Sequence, residues 1–179
     1  YLKNITAKNS MKKGVSIVED MGKVETILDL GCGTGHTCAA LSEIFVDARV
    51  AGINLDETVQ FKVASKMKEF RRFELFKRVQ DAPFRAVDLV FASEFFEHIE
   101  APVDHLLEVL DSSSPRNMLI ANTFNSPSIG HFKSYIVGGE KMEGKSVSII
   151  FGKVLRERGY EKVETKMWNS RPSYWKLKK

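Results

Sequence analysis

Strand and helix signals that alternate after about residue 25 predict an α/β fold, a doubly wound and mostly parallel seven-stranded sheet with helices on both faces. Two observations fix the class. The run Thr26 to Leu30 is apolar almost throughout, as expected of a strand covered on both sides. It leads directly into glycines at 31, 33 and 35 and then a helix-forming segment, a turn that lets a ligand approach the backbone beside unpaired helix amides.

The elements follow in order. The first helix of the alternation spans His36 to Phe45, strand two Ala48 to Ile53, and the next helix Glu57 to Phe70, with Val59, Val63, Met67 and Phe70 on its inward face. Strand three is expected at Phe73 to Arg78 and strand four at Ala86 to Ala92. A helix from Pro102 then turns Val103, Leu106, Leu107 and Leu110 inward, with the proline at its first position. Strand five spans Asn117 to Asn122. The last helix spans Ser146 to Arg158, beginning at a serine cap and ending at Gly159 as a left-handed stop. Tyr160 to Met167 and Ser173 to Lys178 are closing strands.

Two stretches stand outside this alternation. Residues 1–25 should hold a short helix around Met11 to Met21 that covers the ligand. Residues 123–145 have no clear period, and so long an irregular connection suits a loop over the active site.

One domain is expected over residues 1–179, with 43% hydrophobic residues for a single core. No apolar run is long enough to cross a bilayer and no secretory leader is visible, so a cytoplasmic location without membrane contact is expected. Cys32 and Cys38 flank the glycine turn, where a bridge would distort it, and are read as thiols, Cys38 as a small buried filler. The net charge of +4 gathers at Lys3, Lys8, Lys12 and Lys13, at Lys66, Lys68, Arg71 and Arg72, and at Arg171, Lys176, Lys178 and Lys179. Solvated faces account for it better than a nucleic-acid track does.

The turn is not a dinucleotide fingerprint, because His36 stands where the third glycine would be, and it lacks the Gly-Lys-Ser/Thr of a phosphate loop. Asp29-Leu30-Gly31-Cys32-Gly33-Thr34-Gly35 instead resembles motif I of the class I S-adenosylmethionine-dependent methyltransferases, whose fold is Rossmann-like. Val50 to Asp56 resembles that family's second strand, Val79 to Phe84 its adenine loop, and Ala86 to Ile99 its fourth strand and exit, in the right order. The closing strands would then form the family's antiparallel edge hairpin.

The resemblance implies S-adenosyl-L-methionine as cofactor, contacted by Asp29, Gly31, Cys32, Gly33, Gly35, Asn54, Leu55, Asp81, Ala82 and Ser93. Asn54 departs from the family, which carries an acid there for the ribose hydroxyls. Asn54→Asp should then tighten binding by roughly 1 kcal/mol through a charge-assisted contact. Asp56 either compensates or caps the following helix.

Glu97, His98 and His131 are the candidate bases for the acceptor, with Phe95, Phe96, Phe124, Phe132 and Tyr135 as possible walls of its pocket. In some relatives a run like Glu94-Phe95-Phe96-Glu97-His98 accompanies a divalent metal. Glu94, Glu97 and His98 could supply two or three such ligands here, with His131 as the one obvious further nitrogen, but no further cluster of histidines or carboxylates accompanies them and no metal is expected. A small metabolite is the expected methyl acceptor, at an O or N atom. An RNA or other nucleic-acid acceptor and a silent binding subunit are the alternatives.

Overall fold

A computed structural model describes residues 2–8, 10–12, 14–126, 128–167 and 171–178. Lys13 and Lys179 of the basic clusters lie outside the described residues. The chain order is α1 (Leu2–Ile5), α2 (Ile17–Met21), β1 (Thr26–Leu30), α3 (His36–Ile44), β2 (Arg49–Ile53), α4 (Val59–Met67), β3 (Glu74–Phe76), β4 (Leu89–Ser93), α5 (Pro102–Ser113), β5 (Asn117–Ala121), β6 (Tyr135–Val137), β7 (Glu140–Met142), α6 (Gly144–Glu157), β8 (Tyr160–Val163) and β9 (Ser173–Leu177). Seven strands form one sheet in the order β3-β2-β1-β4-β5-β9-β8. All neighbours in it pair in parallel except β5 with β9 and β9 with β8. The order reverses at β1 and β4, which puts the ligand crevice at the carboxyl ends of these strands.

The period-two alternation of strands divides the core. Leu28, Leu30, Ala51, Ile53, Val90 and Ala92 face α5 and α6 through Leu106, Val109, Val147, Phe151 and Leu155. Ile27, Val50, Leu89, Phe91, Leu119 and Tyr174 face Leu41 of α3 and Ile5, Met11, Ile17 and Met21 of the N-terminal segment. That segment therefore covers a sheet face, where the sequence suggested a cover over the ligand. Its α2 begins later than expected, at a capping box in which Ser16 Oγ accepts from Glu19 N at 3.0 Å and Glu19 Oε2 accepts from Ser16 N at 2.6 Å.

Further expectations are corrected. The helix after β2 is shorter than expected and is capped by Thr58, whose Oγ1 accepts from Phe61 N at 3.0 Å; Asp56 pairs with Lys77 instead. Of this helix only Ala64 is fully buried; Met67 of the expected stripe packs against the core, while Val59 is 74% and the following Phe70 82% exposed. The loop 123–145 is partly regular, since β6 and β7 pair antiparallel within it. The last helix starts at Gly144, not beyond Ser146: a Cβ there would lie 2.0 Å from the Phe124 carbonyl oxygen, so only glycine lets this turn close on the loop. β8 ends at Val163, and Thr165 bridges to Met11. Among the described residues, no helix is long and apolar enough to cross a membrane.

Candidate functional site

The glycine turn is held against β2. Gly31 N and Cys32 N both donate to the Ile53 carbonyl oxygen, at 2.9 and 3.1 Å, and Gly35 N donates to Cys32 O at 2.9 Å. Gly31, Gly33 and Gly35 have φ of 68°, 54° and 87°, a region in which side chains are strained. Their surroundings differ. A Cβ on Gly31 would meet the Phe95 ring at 2.5 Å and one on Gly35 the Phe73 ring at 2.8 Å, whereas one on Gly33 would have nothing within 4 Å. Gly33 thus borders open space.

That space is a cavity of about 580 Å³, lined by Gly31, Gly33, Ile53, Asn54, Leu55, Thr58, Gln60, Lys77 to Gln80, Glu94, Phe95, His98, Ile99, His105 and Glu108. Gly31, Gly33, Asn54, Leu55 and His98 therefore converge as expected. Asn54 is engaged on both ends of its amide: Nδ2 donates to Gly33 O at 2.8 Å and Oδ1 accepts from Leu55 N at 3.0 Å. Its first function is to tie β2 to the turn, which a sequence reading in terms of ribose overlooks.

The other expected contacts sit elsewhere. Asp29 is 1% exposed under the turn, where it accepts from Cys38 Sγ at 3.2 Å. Burial pushes its carboxyl up to about 7, against which the Cys38 contact acts only weakly. Both cysteines are free and buried, and the Cys32 thiol beside it, together with burial, pushes the Cys38 thiol up. Gly35 is the N-cap of α3. Asp81 faces back to Arg78, in contact at 3.0 and 3.2 Å, and this ion pair holds its carboxyl below the usual range. Ala82 is buried in the core, so the cavity wall is formed by the preceding residues, Lys77 to Gln80. Ser93 borders a smaller depression with Leu2, Lys3, Thr37 and Phe91.

Glu97 is fully buried. Its Oε1 accepts from Thr123 N at 2.9 Å, its Oε2 has no partner among the described residues, and burial raises its pKa. It braces the loop from beneath and is not among the cavity-lining residues. Of the five aromatic candidates, Phe95 lines the cavity, while Phe96, Phe124 and Tyr135 belong to the core and Phe132 borders a shallower depression. His131 borders that same depression, with its ring centroid 4.8 Å from that of His98.

The α5 contribution to the cavity was not anticipated. His105 Nδ1 lies 3.0 Å from Glu108 Oε2, and Glu108 also accepts from Gln80, so α5 is linked to the wall beside β3. The i, i+3 spacing of His105 and Glu108 on the polar side of α5 was the available signal.

The cavity, the turn and the strand order together reproduce the site of an open α/β sheet that binds a nucleoside-bearing ligand. Residues 28–120 match the family described as the methyltransferase domain. The chain belongs to this family. A tRNA U34 carboxymethyltransferase of Cellvibrio japonicus is 33% identical over 107 residues, covering 56% of this chain. The chain spans about a third of that relative, 33% of its length. A SAM dependent methyltransferase from Aquifex aeolicus has the same fold, with a TM-score of 0.55 at 18% identity over 89% of this chain and 84% of the other. A plantazolicin methyltransferase solved with a triazolic substrate analogue and SAH gives a TM-score of 0.46 at 22% identity, covering 54% and 37% of the two chains.

Proposed function

We propose that this methyltransferase domain binds S-adenosyl-L-methionine and transfers its methyl group to an O or N atom of a small molecule. The observation that carries the reading is Gly33, a left-handed glycine with open space over its α-carbon, at the edge of a cavity of about 580 Å³. The cavity is within the range typical of small-ligand sites. When bound, the cofactor's sulfonium supplies an already electrophilic methyl carbon. The chain's task is then to bind, orient and exclude water.

Gly31 and Gly33 bring the backbone to the ligand, Leu55 and Val79 offer apolar surface, and Asn54 keeps the turn in register. The two cations on the wall are engaged in ion pairs, Lys77 with Asp56 and Arg78 with Asp81. This leaves a wall without a concentrated positive charge, which favours a small acceptor over a phosphate chain. The 33% identity to a tRNA-modifying relative favours RNA as the second reading.

Calorimetry with S-adenosyl-L-methionine and its demethylated product tests the first step; one equivalent should bind, and binding should fail in Gly33→Val. Transfer of labelled methyl groups into separate small-metabolite and tRNA pools tests the second. Label in tRNA alone would replace the small acceptor with RNA.

A further inference from the structure

We propose that Glu94, His98 and His131 form a binding site for one divalent transition-metal ion at the edge of the cavity. One donor atom from each lies within 4.8 Å of the others. His131 lies 33 positions beyond His98 in the sequence, and the loop after β5 brings it in as the third ligand, in the place that the sequence leaves to Glu97 or His131.

Three features show that the arrangement is built. His98 Nδ1 lies 3.0 Å from Gly130 O, and His131 Nδ1 lies 3.0 Å from Ser126 O. A carbonyl oxygen can only accept, so each Nδ1 carries a proton, and it is Nε2 whose lone pair is left to bind a metal ion. Backbone carbonyls fixing metal-bound imidazoles in this way are a recurring outer shell. A Cβ on Gly130 would come 3.0 Å from His98 Nδ1, so glycine at φ 83° is what lets the loop backbone reach the ring. Glu94, finally, is a non-glycine residue with φ of 51°, pinned by its N–H to Ala121 O at 2.8 Å at the end of β4. Such left-handed conformations are strained and gather at functional positions.

The donor set also selects the ion. Two imidazoles and one carboxylate suit zinc, manganese, iron or cobalt, whereas magnesium and calcium favour all-oxygen sets. Three protein ligands leave open positions. Glu94 and His98 line the cavity, so those positions face the space where an acceptor oxygen or nitrogen would sit. Glu97 takes no part, since it is buried in the core and is not among the residues whose donor atoms converge. The site departs from the sequence expectation of no metal, and it gives His98 and His131 the role of ligands in place of bases.

The test is metal uptake by the chelator-stripped domain. Manganese and zinc are titrated separately by calorimetry, with manganese also followed through broadening of the histidine ring signals in NMR. One equivalent should bind, with the His98 and His131 ring signals broadened more strongly than those of His36 and His105. His98→Ala and His131→Ala, each checked for folding by circular dichroism, should weaken uptake at least tenfold. Magnesium alone should not displace manganese at comparable concentration. Absence of uptake below millimolar metal, unchanged uptake in folded His131→Ala, or equal competition by magnesium would each overturn the proposal. Binding of S-adenosyl-L-methionine to the metal-free domain, measured in parallel, separates this outcome from failure of the methyltransferase reading.

Discussion

Asn54 Nδ2 donates to the carbonyl oxygen of Gly33 at 2.8 Å, so the tip of β2 and the middle of the glycine turn are one hydrogen-bonded unit. This contact reverses the effect expected of the acidic residue that relatives carry. Asn54→Asp removes the donor and sets a carboxylate against a carbonyl oxygen. The lost bond and the repulsion together should weaken cofactor binding by about 1–3 kcal/mol. Calorimetry on the folded variant checks the sign; tighter binding would mean that the side chain rotates to face the ribose.

Gly33→Val separates fold from ligand. Its side chain would enter the open cavity, so binding should fall by well over tenfold. The penalty for a branched residue at φ 54° should be about 1–2 kcal/mol of stability. Gly52→Ala does the reverse, because its Cβ would lie 2.7 Å from both the Cys32 and Cys38 sulfurs, away from the cavity lining. It should lower the melting temperature more than Gly33→Val while affecting cofactor affinity less.

What was legible in the sequence follows from how local its cause is. β1 spans Thr26–Leu30 as read, because a doubly covered strand is a continuous apolar run bounded by its own turn. The glycine turn was legible for the same reason, whereas the bond from Asn54 to Gly33 O, which joins positions 21 apart, was not. The α5 wall was not, because His105 and Glu108 reach the cavity only through the crossover from β4 to β5. Asp81 pointed the wrong way because an arginine three residues earlier captures it. The start of α6 depends on a glycine touching a backbone twenty residues upstream, which no local pattern records.

Asp29 should give the domain a distinctive pH dependence. Its carboxyl moves from an ordinary 3.8 to about 7 on folding because it is buried. Between those values the folded state holds a proton that the unfolded chain has released. Stability therefore falls as pH rises from about 4 to about 7, by up to about 1.4 kcal/mol per unit, and levels off above. Asp29→Asn should flatten this slope. Urea unfolding at pH 5 and pH 7.5 without cofactor provides the check, and an unaltered slope in the variant would assign the dependence to another group.

The packing of α4 yields the last prediction. Amphipathic spacing pointed to Val59, Val63, Met67 and Phe70 as the inward stripe; Met67 does pack against the core, yet the fully buried docking residue is Ala64, whose Cβ lies 3.4 Å from where a Cβ on Gly35 would be. Phe73 fills the same junction, so Gly35, Ala64 and Phe73 form a small-large contact with no spare volume. Ala64→Leu should overpack it at a cost of about 1–3 kcal/mol. Because Gly35 closes the turn through its N–H to Cys32 O, the strain should also reach the cofactor site and weaken binding several-fold. Val59→Ser and Phe70→Ser lie on the exposed side and should change stability by no more than about 0.5 kcal/mol. Denaturant unfolding and calorimetry on the three variants decide it. A large loss of stability in Phe70→Ser, with Ala64→Leu unaffected, would restore the stripe read from the sequence and displace Ala64 as the docking residue.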